Sequence, residues 1–397
     1  MLSLADPLPI RPVKGPLDAV VGIPGSKSLT NRALVLAALS EGTTELHGAL
    51  WAEDTRVMVD CLRKLGFEVG ERPDHLNADN RILTVRGHGG EIPAREAELF
   101  VGTAGTAARF LSALCALGKG PYRLGGTPRM HERPMREVFD ALRELGADVK
   151  DTEGRLPAEI RGPIKAGKVC VTVEDSSQFA SALLLVGKTA KVEVDCPPSP
   201  YVELTRGMLG SWSWKGGPFA IEPDASSASY FFALQHLLRG KLTIPRWPPS
   251  SLQVDHRFPK FLPPQIKVSR KTDLGDAVLT LVIVAAALRR PLHLTQAGNL
   301  RKQECDRLAA LATELGKCGV PVREEPTGLV LQPAKVFRPA EIETYRDHRI
   351  AMCFAVLGSV DVFGDGCPWI KIRDPRCVEK TFPSFFETLG VATSTVR

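Results

Sequence analysis

The sequence predicts an α/β protein built from six copies of one βαβαββ-type unit, grouped three and three. Three observations carry this expectation. One phrase returns six times along the chain: an apolar helix rich in small residues, a short strand, a polar loop, then a second helix that often closes on Leu-Gly. The first helix of each copy is apolar nearly all round, which marks it for burial, whereas the second is amphipathic and keeps one face in water. Short pieces such as "RILTVRGHG" and "GLVLQPA" lie between the copies and read as strands.

The copies follow in order. Copy one spans 31–69, beginning "NRALVLAALSEG" and closing "CLRKLGFEV"; copy two spans 108–149 and closes "ALRELGADV". Copies three (about 177–212) and four (about 225–262) are shortened, and the stretch 243–272 in and after copy four is Pro-rich and compressed. Copy five (277–322) opens on the most apolar run of the chain, "AVLTLVIVAAAL", and copy six (347–391) closes the chain. Units of roughly 60 residues suit two domains of three at ordinary domain size. The period is too long and irregular for a solenoid, so a closed pseudo-threefold arrangement around buried helices is expected.

Composition narrows the function. Of 397 residues, 44% are apolar, 24% charged and 6% aromatic, with a formal net charge of +6. That mild excess suits acidic small molecules, and no basic block or aromatic platform argues for nucleic acid. The nine cysteines form no CxxC pair, which points to a reducing compartment without structural zinc. The opening "MLSLADPLPIRPVKGPL" breaks at Asp and Pro too early for a signal segment, and no apolar run reaches the roughly 20 residues of a membrane span. A cytoplasmic monomer is the expectation.

The start of each buried helix carries the chemistry. "PGSKSLTNR", "GTAGTAAR", "EDSSQFAS", "DASSAS", "DLGDAV" and "YRDHR" open the six copies in turn. Free N–H groups and the positive dipole end make such mouths anion sites. Lys27 at the first mouth resembles a Walker lysine, but Ser26 intervenes between it and Gly25, so no phosphate loop of that kind is present. The cations Lys27, Arg32, Arg109, Arg129, Arg133, Arg307, Arg349 and Lys380 stand at helix ends or in turns, and a cationic cleft is favoured over solvated surface charge. Ser176 and Ser177 suit either helix capping or phosphate binding. Asp276 can cap the apolar helix it opens or act as a base; Glu304 has cations around it, and His348 can carry a proton. No metal-ligand spacing, G-x-S-x-G elbow or GxGxxG turn is present.

These motifs in their order resemble the 5-enolpyruvylshikimate-3-phosphate synthase (3-phosphoshikimate 1-carboxyvinyltransferase) family. "PGSKSLTNRALVLAALSEG", "GTAGTAARFL", "PRMHERPM", "SSQFASALL", "DASSASYFFA", "ECDRL", "YRDHRIAMCFAVLG" and "DPRCVEKTFPSFFETL" carry the likeness from about residue 20 to residue 390. The resemblance implies a two-lobed enolpyruvyl transferase fold. Each lobe would be three βαβαββ units with buried helices, an inverse α/β barrel, and the active site would lie between the lobes. Residues 1–24 with 223–397 would form one lobe and 25–222 the other.

It further implies transfer of the enolpyruvyl group of phosphoenolpyruvate to the 5-hydroxyl of shikimate 3-phosphate, with no metal and no organic cofactor. Lys27 would touch both substrates and belong to the catalytic set with Asp276, Glu304 and His348. Ser28, Arg32, Ser176, Ser177, Gln178, Tyr201, Asn299 and Gln303 would contact shikimate 3-phosphate. Gly105, Arg129, Gln178, Arg307, Arg349 and Lys380 would bind phosphoenolpyruvate. Asp276 would be the base at the 5-hydroxyl, Glu304 the acid at the methylene carbon, and His348 an accessory group.

Three positions depart from the family's pattern: Thr103 where Asn is usual, Pro198 (with Ser199 beside it) where a phosphate-ligating Ser is expected, and Gln303 where Lys is usual, with Lys302 one position earlier. They motivate an alternative, a non-catalytic or acceptor-shifted homologue that binds phosphorylated metabolites. A UDP-N-acetylglucosamine enolpyruvyl transferase is less favoured, because the copy-two loop "GGTPRMHERP" has no Cys. The resemblance also implies a glyphosate target, whose response turns on packing around Gly105, Thr106 and Met130.

Overall fold

The computed structural model describes residues 4–394. Two short strands open it, β1 (Leu8–Ile10) and β2 (Asp18–Val20), which pair with the strands Ile370–Ile372 and Lys241–Thr243. The chain divides into a unit Pro24–Glu222 and a unit made of Met1–Ile23 with Pro223–Arg397.

The first of these begins with α1 (Lys27–Leu39), β3 (Thr43–Leu50), α2 (Glu53–Lys64), β4 (Val69–Pro73) and β5 (Asn80–Arg86). Next come β6 (Ala97–Phe100), α3 (Gly105–Cys115), β7 (Tyr122–Gly125), the short α4 (Pro128–Glu132), α5 (Arg136–Glu144), β8 (Asp148–Lys150) and β9 (Ala158–Arg161). It ends with β10 (Gly167–Cys170), α6 (Ser177–Ala190), β11 (Val192–Asp195), α7 (Pro200–Ser211) and β12 (Gly217–Ala220). Its sheets are ordered β12-β3-β5-β4, β6-β7-β9-β8 and β10-β11. Each holds one parallel pair, and the two larger sheets are completed by antiparallel strands. The third copy lacks its closing strand pair: after α7 the chain runs into β12, which serves the first copy's sheet.

Helices α1, α3 and α6 pack against one another. Every residue from Leu29 to Leu39 is buried, as is every residue of α3. Small residues let these helices approach, and each buried Leu or Val contributes about 1.5–3 kcal/mol of transfer free energy. In α2 the apolar Met58, Val59, Cys61 and Leu62 face inward while Arg56, Asp60 and Arg63 stay in water. Gly25 sets the approach to α1. Its N–H donates to Asn80 Oδ1 at 2.8 Å, and a Cβ there would lie 1.9 Å from the Gly48 carbonyl oxygen. Gly25→Ala is therefore expected to lower the unfolding free energy by about 1–3 kcal/mol, read as a shifted denaturant midpoint at constant slope.

The other unit adds α8 (Ala225–Leu238), β13 (Lys241–Thr243), β14 (Lys267–Ser269), α9 (Val278–Ala287), β15 (Leu292–Thr295), α10 (Arg307–Lys317), β16 (Val322–Glu325) and β17 (Gly328–Leu331). It closes with β18 (Ala340–Ile342), α11 (His348–Gly358), β19 (Ile370–Ile372) and α12 (Phe385–Ser394). Its sheets are β14-β15-β17-β16, β1-β19-β18 and β13-β2, so the opening strands complete two of them. Helices α8, α9 and α11 pack together, and all of α9 but its last residue is buried. The second helix expected in copy four is a 3-10 helix, Val254–Phe261, with Pro259 inside it. Proline offers no N–H and crowds the preceding turn, so α geometry does not continue there.

Among the described residues no sheet closes into a barrel of strands, and no helix is long and apolar enough to cross a membrane.

Candidate active site

In the unit Pro24–Glu222 the polar groups gather at the mouths of the buried helices. Ser26 caps α1, its Oγ accepting the Leu29 N–H at 3.5 Å, and Lys27 follows as the first helical residue. Lys27 Nζ lies 3.0 Å from Asp54 Oδ2, with the two side chains 16% and 3% exposed. Asp54, in the first turn of α2, thus fixes where this ammonium points. Gln178 is fixed as firmly: its Oε1 accepts from Arg109 Nη1 at 2.9 Å and its Nε2 donates to Thr106 Oγ1 at 3.1 Å. Ser176 caps α6, its Oγ accepting the Gln178 N–H at 3.2 Å, and Ser177 opens the helix.

At Gly105, which opens α3, any side chain would have to displace two guanidinium groups. A Cβ would lie 2.6 Å from Arg109 Nη1 and 2.7 Å from Arg133 Cζ, and both arginines are nearly buried. Arg133 Nη1 also donates to the Thr103 carbonyl at 3.2 Å, a contact that uses the main chain and not the side chain that departs from the family. Arg129 lies elsewhere, half-exposed and paired with Glu132 at 2.6 Å. Pro128 begins a helix of little more than one turn, which turns Arg129 outward and Arg133 back under the loop.

Arg32 is buried and spends its donors inside the unit. Nε donates to Thr205 Oγ1 (2.8 Å), Nη1 to the Ser28 carbonyl (2.9 Å), and Nη2 to Ser181 Oγ (3.2 Å) and the Tyr201 carbonyl (3.3 Å). Burial holds its pKa down at about 10. It ties α1 to α6 and α7, with Phe110 under the guanidinium. Ser199 begins α7 beside Pro198 without a side-chain capping bond.

In the other unit one carboxylate stands among three arginines. Asp276 Oδ1 accepts from Arg270 Nη2 at 2.8 Å; its Oδ2 lies 2.9 Å from Arg349 Nε and 3.8 Å from Arg307 Nη1. Burial alone would raise this carboxyl, but Arg349, then Arg270 and Arg307, outweigh it and hold Asp276 far below the usual carboxylate range. Arg307 is the hub. It donates to Asp347 Oδ2 at 2.7 Å, to Asp347 Oδ1 at 3.2 Å, to Glu304 Oε2 at 2.9 Å, and to Gln303 Oε1. Glu304 Oε1 lies 3.9 Å from Lys380 Nζ, at the end of the 3-10 helix Pro375–Lys380. Arg349 Nη1 reaches the buried Tyr230 hydroxyl at 3.4 Å.

Asp347 caps α11, accepting the Arg349 N–H at 2.8 Å, and the buried His348 sits with Nδ1 3.8 Å from Asp347 Oδ1. Asn299 lies partly buried in the 3-10 helix Gly298–Lys302.

Asp276, Glu304, Arg307, Arg349, Lys380, Gln303 and His348 are therefore brought together. Three residues outside the sequence expectations join the two groups: Asp54, Arg270 and Asp255. Asp255 is fully buried in the 3-10 helix Val254–Phe261 and accepts N–H bonds from Gly275 (2.6 Å) and Ala277 (3.1 Å) and the Ser226 hydroxyl (2.6 Å). It serves the start of α9 in the way a cap would, which leaves the Asp276 carboxylate to the arginines. Burial pushes the Asp255 carboxyl above its ordinary range.

Buried helix mouths furnished with fixed cations, and with carboxylates set among them, are the features of an α/β protein that handles anions, as the resemblance to enolpyruvyl transferases implies. Comparison with known proteins agrees. The family model described as EPSP synthase (3-phosphoshikimate 1-carboxyvinyltransferase) matches residues 12–262 and 264–389. A 3-phosphoshikimate 1-carboxyvinyltransferase of Opitutus terrae is 42% identical, covering 98% of each chain, and one of Nostoc punctiforme is 37% identical, covering 96% of this chain and 98% of its own. An EPSP synthase structure from Acinetobacter baumannii aligns over 97% of both chains with a TM-score of 0.74 at 23% identity, a likeness of fold. The chain belongs to the EPSP synthase family.

Proposed function

We propose that this protein is an enzyme that transfers the enolpyruvyl group of phosphoenolpyruvate to the 5-hydroxyl of shikimate 3-phosphate and releases inorganic phosphate. The supporting observation is full-length membership of the family together with one carboxylate, Asp276, held among Arg270, Arg307 and Arg349 beside Glu304 and Lys380. The relatives named for this activity match across nearly the whole chain, which does not favour the acceptor-shifted or non-catalytic alternative.

In this reading the acceptor's hydroxyl proton passes to Asp276 as its oxygen bonds to C2 of phosphoenolpyruvate. Glu304 gives a proton to the methylene carbon, aided by Lys380, and a tetrahedral adduct forms. Glu304 then takes a proton back from the new methyl group, the C–O bond to phosphate breaks, and the proton held by Asp276 leaves with phosphate. Two polyanions repel each other, so cations must offset the repulsion: Arg307, Arg349, Lys380 and Arg129, which must first leave Glu132, are assigned to phosphoenolpyruvate together with the neutral backbone at Gly105, and Lys27 and the neutral Gln178 serve both substrates. Ser28, Arg32, Ser176, Ser177, Tyr201, Asn299 and Gln303 are assigned to shikimate 3-phosphate, and His348 is an accessory group.

The test is phosphate release with each substrate omitted in turn. Release that needs both supports the transfer; no release, with both ligands still bound, supports the non-catalytic or acceptor-shifted alternative. Asp54→Asn is expected to lower kcat/KM about tenfold, roughly 1.4 kcal/mol of transition-state binding, because Lys27 loses the charge that aims it. Steady-state kinetics on the folded variant checks this. The accompanying reading is a cytoplasmic monomer, for which sedimentation should give a single species of monomer mass.

A further inference from the structure

Arg270 belongs to no motif of the sequence. It sits in the loop between β14 and α9, at the end of the compressed Pro-rich stretch 243–272. Its side chain is nonetheless only 10% exposed, and it holds Asp276 Oδ1 at 2.8 Å. The other oxygen, Oδ2, faces Arg349 and Arg307 at 2.9 and 3.8 Å. The three arginines are thus divided between the two oxygens. Arg307 and Arg349 stand at the starts of α10 and α11, where the proposed function assigns them to an anionic substrate. Arg270 lies six residues before Asp276 on the same loop. Asp255 underlies that loop from the 3-10 helix Val254–Phe261, and Glu304 and Asp347 face the site through their pairs with Arg307.

We infer that Arg270 is a positioning residue that keeps Oδ1 of Asp276 engaged, so that Oδ2 is the oxygen that receives the acceptor's proton. The inference rests on the proposed function. An anionic substrate draws Arg307 and Arg349 into ion pairs of its own, and Oδ2 gains basicity as they leave. Arg270 stops the carboxylate from turning after them. One proton moves from the hydroxyl oxygen to Oδ2 as the new C–O bond forms at C2, and the π electrons of the broken double bond take the proton that Glu304 gives to the methylene carbon.

Arg270→Gln and Arg270→Lys, compared with the unaltered chain by phosphate release over a range of pH, test this. The glutamine variant is expected to lose about thirtyfold in kcat, the scale of a misplacement well under an ångström. KM for each substrate should stay within about threefold, because uniform binding is untouched. The acid limb of kcat, which reports the substrate complex, should move up by about one pH unit, since an opposite charge next to the carboxylate is gone. Arg270→Lys should keep the limb in place and recover only part of kcat.

A folded Arg270→Gln with an unmoved limb is the result of a merely structural role and overturns the inference. So does a KM for phosphoenolpyruvate raised more than about tenfold with kcat intact, which would make Arg270 a substrate ligand. Should the glutamine variant not fold, the lysine variant decides: a reduced kcat at unchanged KM supports the inference and an unchanged kcat overturns it. An unaltered chain without substrate-dependent release fails the proposed function and the inference together, whereas an active chain with an unmoved limb fails the inference alone.

Discussion

Asp276→Asn is expected to lower kcat about a thousandfold, roughly 4 kcal/mol in the barrier, while both substrates still bind. The substitution keeps the shape of the side chain and removes only its capacity to take a proton. Binding should survive because Asp276 competes with anions for the arginines. In the described structure it neutralises part of the charge on Arg349, Arg270 and Arg307. Without it those cations are in excess, so phosphoenolpyruvate should bind as well as before or better. A carboxylate held far below its ordinary range is a poor base, so in the proposed function the anionic substrate engages Arg307 and Arg349 first and Asp276 gains basicity as they leave it. Turnover by phosphate release and affinity by calorimetry separate the two effects. Turnover near that of the unaltered chain would remove Asp276 from the role of base, and lost binding would make it a ligand instead.

What could be read in the sequence was what repeats locally. An apolar helix whose mouth carries Gly, Ser, Asp or Arg is visible in one line of residues, and such mouths led to Lys27, Ser176, Asp276 and Arg349, whereas Glu304, Arg307 and Lys380 stand outside them, in "RKQECDRL" and "DPRCVEKTF". Asp54 and Asp255 were not visible because each acts on a residue that the fold brings to it, Asp54 from α2 onto Lys27 and Asp255 from a 3-10 helix onto the loop of Asp276. Arg270 stands only six residues before Asp276, but no repeat or motif marks a contact within that irregular loop. No periodicity marks a 3-10 helix interrupted by Pro259. Arg32 illustrates the opposite limit. Its place at a helix mouth suggested a ligand, and only the packing around α1, α6 and α7 reveals that Thr205, Ser181 and two carbonyls hold four of its five N–H groups and so fix the guanidinium in place. The borrowed strands were equally hidden, since β1 and β2 find their partners far along the chain.

Arg307→Met should be the most damaging single change to stability, lowering the unfolding free energy by about 3–5 kcal/mol. The Arg307 and Asp347 side chains are 2% and 0% exposed, and two hydrogen bonds of 2.7 and 3.2 Å join them. Methionine fills much of the space of the arginine stem but leaves the buried Asp347 carboxylate without its countercharge. That stranded charge, more than the lost contact, sets the cost. Removing the charge as well should therefore give back much of the loss. Asn at 347 caps a helix as well as Asp does, so the start of α11 is kept in Asp347→Asn. The double variant Arg307→Met with Asp347→Asn should be more stable than the sum of the single losses predicts, by at least about 1 kcal/mol. Denaturant titrations of the four proteins close the cycle. Losses that add within about 0.5 kcal/mol would mean that the two side chains do not depend on each other. Activity should not recover with stability, because the double variant lacks the guanidinium that the proposed function gives to phosphoenolpyruvate.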